Sequence, residues 1–134
     1  MARPKTPHPT PAELEVLKLL WERGPLTVRE VLEIWQDAGD ERAYTSVMSL
    51  LNVMTDKGLL DRTPEGRAFR YAPQAGLQSI LGGLIGDVWK RAFSGSASTL
   101  VAHLLEEANP TADELAAIRA MLSQYEDAAG ESHD

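Results

Sequence analysis

Two helix-starting boxes in close succession, Thr10-Pro11-Ala12-Glu13 and Thr27-Val28-Arg29-Glu30, constrain this chain more than any other feature. In each, the threonine hydroxyl can accept from the N–H three residues on. The glutamate there reaches back to the threonine N–H. Pro11 suits the first helical position, where no N–H is needed. Leu14, Leu17, Leu20 and Trp21 recur at helical spacing behind the first box, and Gly24-Pro25 stops that helix. Val28, Val31, Leu32 and Trp35 make one apolar stripe behind the second. Asp37-Ala38-Gly39-Asp40 reads as a turn.

A third helix is expected over 43–57, ended by Gly58 in a left-handed conformation. Val47, Leu50, Leu51 and Met54 form its buried stripe. Thr45, Ser46, Met48, Ser49, Asn52 and Asp56 fall on the other side at about 100° per residue. A plain solvated helix face usually carries Lys and Glu, which favour helix. This face gives up helix propensity for short hydrogen-bonding groups. Thr, Ser and Asn can donate and accept at base edges in a major groove, and Met can lie on a thymine methyl. Thr45, Ser46, Met48, Ser49 and Asn52 are therefore the candidate base-reading residues. Residues 59–63 and 68–72 follow as two short strands, with 64–67 as the hairpin turn. Three helices and then a basic hairpin is the winged helix-turn-helix order.

The net charge of −7 argues against a nucleic-acid partner until its distribution is considered. Residues 1–73 hold ten basic and eleven acidic side chains, net −1. Residues 74–134 hold three and nine, net −6. Within 42–73 there are five basic and three acidic, net +2. Arg42 and Tyr44 stand at the start of the third helix, Lys57 at its end, and Arg62, Arg67 and Arg70 along the hairpin. These are candidate contacts to the DNA backbone, fixing register without reading sequence. A mixed-charge surface is the alternative, because Asp56, Asp61 and Glu65 are interleaved.

The expected organisation is a disordered, Pro-rich basic tail over 1–9, a winged-helix domain over 10–73 and a helical dimerisation region over 74–134. The fold class is mainly α with a small β-hairpin wing, followed by a helical dimerisation arm. Leu77, Ile80, Leu81, Leu84 and Val88 give one stripe, running to about Phe93. Ser94-Gly95-Ser96 breaks it. Leu100, Val101, Leu104 and Leu105 form a second amphipathic segment. A last helix, capped by Thr111 with Glu114, carries Leu115, Ile118, Met121, Leu122 and Tyr125. Helices this short cannot enclose a core against one another. A two-fold dimer would cover Leu77, Ile80, Leu81, Leu84, Val88, Leu100, Leu104, Leu115, Ile118 and Leu122. It would also set two recognition helices on a palindromic site. Packing back on the winged helix is the alternative.

The chain has no cysteine, which excludes disulfides, thiolate metal sites and cysteine nucleophiles. His8, His103 and His133 make no ligand spacing, so neither a metal nor a cofactor is expected. No nucleophile–base pair, glycine-rich phosphate loop or carboxylate dyad points to an enzyme. No apolar run approaches the roughly 20 residues that cross a bilayer. The N-terminus lacks the apolar stretch of a secretory signal. A cytoplasmic protein with no membrane insertion is expected.

The residues resemble the penicillinase repressor family over 10–125. The specific stretches are Pro11-Ala-Glu-Leu-Glu-Val-Leu-Lys-Leu-Leu-Trp21, Ala43-Tyr-Thr-Ser-Val-Met-Ser-Leu-Leu-Asn52, and Asp56-Lys-Gly-Leu-Leu60 with Gly66-Arg67-Ala68-Phe69-Arg70-Tyr71. Phe93-Ser-Gly-Ser and Leu100-Val101 resemble its C-terminal half. The resemblance implies a homodimeric repressor on a palindromic double-stranded DNA operator, read by the third helix with the wing on the backbone. It implies, for some members, relief by a membrane-bound sensor protease that cuts the C-terminal arm. Mapped here, the cut would fall near His103-Leu104, where a bond of the Asn-Phe type is not present. The cysteine pairs of the copper-responsive branch are missing, and Val53 stands where many relatives have Arg. A winged helix used as a protein-interaction module without DNA binding is the competing reading.

Overall fold

A computed structural model describes residues 8–131. The expected tail lies, for residues 1–7, outside the described residues, as does His133. The described chain forms α1 (Pro11–Arg23), β1 (Leu26–Thr27), α2 (Val28–Asp37), α3 (Tyr44–Asp56), β2 (Leu60–Glu65), β3 (Ala68–Pro73), α4 (Leu77–Arg91), α5 (Ala97–Ala108) and α6 (Ala112–Glu131). It is thus mostly helical with one small antiparallel sheet, as the sequence indicates. It divides into two compact units, Met1–Gly86 and Asp87–Asp134. The division falls inside α4, beyond the boundary expected at residue 73.

Both boxes close as the sequence dictates. Thr10 N donates to Glu13 Oε1 at 2.9 Å and Glu13 N to Thr10 Oγ1 at 3.2 Å. Thr27 and Glu30 repeat the pair at the same distances. These bonds satisfy donors that a helix start leaves without partners. Gly24 ends α1 at φ +87°. Gly58 follows α3 at φ +84°, where an L side chain would be strained.

In the first unit, three helix faces and the sheet meet in one core. α1 gives Val16, Leu17 and Leu20; α2 gives Val31, Leu32 and Trp35; α3 gives Val47, Leu51 and Met54. Leu59, Leu60 and Tyr71 close it from the sheet side. Three residues of the stripes read in the sequence lie at the margin of this core. Leu50 only flanks the core. On α1, Leu14 lies outside the core and Trp21 packs on its edge, and both line a groove of 530 Å³ with Leu77 and Leu81. The cause is the start of α4: Trp21 Nε1 donates to the Ala75 carbonyl at 3.1 Å, so α1 has a second covered face. Ile80 also packs on this core.

The sheet has the order β1-β3-β2. β1 was not expected: its two residues, Leu26 and Thr27, pair with Tyr71 and Arg70. The hairpin is longer than its sequence suggests, since Pro64 and Glu65 pair with Phe69 and Ala68. The turn is therefore Gly66-Arg67 alone, with Gly66 at φ +62°. A two-residue hairpin loop with glycine first is the type II′ pattern, whose twist matches the strands.

Glu13 is 2 % exposed and is, among the described residues, the buried charge of the first unit. Lys57 Nζ, at the far end of α3, reaches both of its oxygens, at 2.8 and 3.0 Å. One carboxylate thus caps α1 and ties it to the end of α3.

The second unit differs in kind. Among the described residues, no side chain beyond Tyr71 is buried. Ser94 and Gly95 take positive φ between α4 and α5, and Asn109 does so after α5. Thr111 Oγ1 accepts from Glu114 N at 3.2 Å at the start of α6. The Phe93 and His103 rings lie 5.2 Å apart, tilted at 58°. Leu104 and Leu122 are each 58 % exposed and Tyr125 is 78 % exposed. Among the described residues, no helix is long and apolar enough to cross a membrane.

Candidate nucleic-acid interface

α3 is anchored by Val47, Leu51 and Met54, and the 3.6-residue repeat throws Thr45, Ser46, Met48 and Ser49 outward. All four are exposed. The helix start carries no side-chain cap and no acid in its first turn. Such a start presents N–H groups and partial positive charge to an anion. Asn52 is different. It is half-buried, and its Oδ1 accepts from the Tyr71 hydroxyl at 2.9 Å and from Arg62 Nη1 at 3.2 Å.

A cleft of 410 Å³ opens between the start of α2, the face of α3 and the wing. Arg29, Tyr44, Met48, Asn52, Arg62, Arg67 and Phe69 line it. No carboxylate does. Arg62 lies over the Phe69 ring, 4.4 Å from its centroid, and Arg29 lies 5.7 Å from the centroid of Tyr44. Among the described residues, none of Arg29, Arg62 and Arg67 has an ion-pair partner. Unneutralised guanidiniums in a carboxylate-free cleft make a site for a phosphate oxygen.

The other expected backbone cations are committed elsewhere. Lys57 holds Glu13. Arg42 stacks on Trp35, 4.2 Å from its ring centroid, and pairs with Asp40 and Glu15, each at 3.1 Å. Arg70 grips Glu65 through two nitrogens at 2.9 and 2.7 Å, donates to the Pro25 carbonyl and pairs with Glu30. Its hydrogen bonds hold the Glu65 carboxyl below the usual range. These three residues brace the fold and the wing, and the structure does not bring them into the cleft. Charge counting found them because a sequence displays cations without their partners.

Arg29 was missed. It stands in the first turn of α2, where a cation opposes the helix dipole. That mismatch was the available signal. Among the described residues, no group of His, Cys, Asp and Glu is arranged to hold a metal ion.

The expected dimer residues separate into groups. Ile80 is used by the core of the first unit, and Leu77 and Leu81 line the groove beside α1. Leu84, Leu100, Leu115 and Ile118 are half-buried, and Val88, Leu104 and Leu122 are exposed.

Known proteins resemble this chain along most of its length. Residues 9–124 match the penicillinase repressor family. The transcriptional regulator BlaI of Mycobacterium tuberculosis is 37 % identical over 116 residues, covering 85 % of this chain and 82 % of that protein. The penicillinase repressor of Bacillus licheniformis is 24 % identical over 121 residues, covering 90 % and 94 %. The solution structure of the monomeric form of Bacillus licheniformis BlaI in complex with the blaP half-operator is 28 % identical. It aligns with 55 % of this chain and 89 % of its own, with a TM-score of 0.47. The relation by sequence spans both compact units, and the chain belongs to the penicillinase repressor family, whose members are transcriptional repressors rather than enzymes.

Proposed function

We propose that this repressor binds a palindromic operator as a homodimer, with α3 in the major groove and the β2–β3 wing on the backbone. The observation that carries the reading is the juxtaposition of an exposed hydroxyl-bearing helix face with three arginines that have no ion-pair partner among the described residues. Thr45, Ser46, Met48 and Ser49 reach base edges. Arg29, Tyr44, Arg62 and Arg67 hold phosphates at the groove wall. Residues 10–73 supply these contacts, and the helices beyond them supply the dimer.

Support for the dimer is the state of the second unit. Val101, Leu104, Met121, Leu122 and Tyr125 are large, apolar and exposed, with no buried residue near them in sequence. Apolar faces of this kind mark an interface. A repressor of this kind works in the bacterial cytoplasm, where its DNA is. A membrane-bound sensor protease is the inducing partner that the family suggests. A cut near His103-Leu104 would fall inside α5, so cleavage requires that helix to open locally.

Selection of bound sequences from random duplex DNA tests the reading. The chain should enrich a two-fold symmetric site. On that site Ser49→Ala should change the preferred base, at about 1–3 kcal/mol of discrimination. Arg67→Ala should weaken all sequences alike and lower the salt slope by about one. Enrichment of no sequence at low salt would instead identify a protein-interaction module.

A further inference from the structure

A run of contacts, Tyr71 to Asn52 to Arg62 to Phe69, joins the recognition helix to the wing. Tyr71 is 2 % exposed and lies opposite Arg62 in the β2–β3 ladder. Its hydroxyl and Arg62 Nη1 both donate to Asn52 Oδ1, at 2.9 and 3.2 Å. A guanidinium has no acceptor, so the amide atom facing it is the oxygen, which fixes the orientation of the amide. Both lone pairs of that oxygen are then used. The bidentate pairing of asparagine with adenine needs a free amide oxygen for the adenine amino group. That pairing is closed to Asn52. Phe69 supports the guanidinium from below, with Arg62 Cζ 4.4 Å from its ring centroid. Arg62 is thus ordered before DNA arrives, which removes part of the entropy lost on binding.

We propose that Asn52 is a positioning residue rather than a base reader: with Tyr71 and Phe69 it holds the Arg62 guanidinium in the cleft between α3 and the wing, where Arg62 contacts a backbone phosphate. The proposal rests on the DNA-binding reading above.

A double-mutant cycle on the full chain tests it, with duplexes selected by the wild-type protein as probes. Arg62→Ala should weaken binding roughly ten- to a hundredfold, the usual range for a lost charge-assisted hydrogen bond. The slope of log affinity on log salt should fall by about one. Tyr71→Phe keeps the ring in the core but releases the amide. It should weaken binding about three- to tenfold in the wild-type background. In the Arg62→Ala background it should have no effect, because its action passes through Arg62. Phe69→Leu, on the exposed wing, makes the same test if Tyr71→Phe does not fold by circular dichroism. Base preferences should survive all of these changes. Additive losses, or an altered base preference on Asn52→Ala with Arg62→Ala neutral, overturn the positioning role and leave operator binding standing. A wild-type chain that selects no sequence overturns both readings.

Discussion

Lys57→Met should destabilise the first unit by about 3 kcal/mol, near the low end for breaking a buried ion pair because the ammonium is partly in water. The substitution keeps the aliphatic stem and leaves the Glu13 carboxylate buried beside α1 with the Thr10 N–H as its remaining partner. Urea denaturation reads the loss directly. DNA affinity per folded molecule should not change, because Lys57 faces Glu13 and not the cleft. An unchanged stability with a salt slope lower by about one would return Lys57 to the DNA backbone. The same carboxylate predicts an acid limit. Burial opposes its ionisation, but the hydrogen bonds from Lys57 and Thr10 outweigh that, and its pKa lies below the ordinary 4.5. The Thr27 N–H lowers Glu30 likewise. A depressed folded-state value gives stability that is complete above the unfolded value and is lost as pH falls through the folded one. The urea midpoint should hold steady down to about pH 5 and then decline. In Glu13→Gln the decline should be shallower.

Leu104→Glu combined with Leu122→Glu should convert the protein to a monomer and cut apparent affinity for a full operator by roughly a hundred- to ten-thousandfold. Neither residue belongs to the core of the first unit, so α3 and the wing should keep their form. Affinity for an isolated half-site should stay as it is. Sedimentation equilibrium and binding to full and half sites separate these outcomes. A pair of glutamates that leaves the dimer intact places the interface on other helix faces.

What the sequence reveals depends on whether the cause is local. The boxes at Thr10 and Thr27, the left-handed glycine after α3 and the buried stripe of that helix depend on neighbours within a turn or two, and all are legible. β1 is not, because two residues carry no period and it exists only by pairing with Arg70 and Tyr71. The second covered face of α1 is not legible for the same reason: Leu14 and Trp21 also meet the segment at the start of α4, distant in sequence. In the candidate interface, the hydroxyl face of α3 is visible in sequence. The fate of each cation is not. Arg42, Lys57 and Arg70 look as available as Arg62 and Arg67 until their carboxylates are brought alongside by the fold. Asn52 shows the limit most plainly, since two partners reach it from the hairpin.

The order β1-β3-β2 leaves β2 as the outer rim of the sheet. An open rim can template another strand and draw copies into fibrils. Here Pro64 removes a donor near its tip, and Asp61 and Arg62 make adjoining strands pay a charge penalty. The outer strand of the wing thus carries its own obstacles to cross-strand pairing between copies.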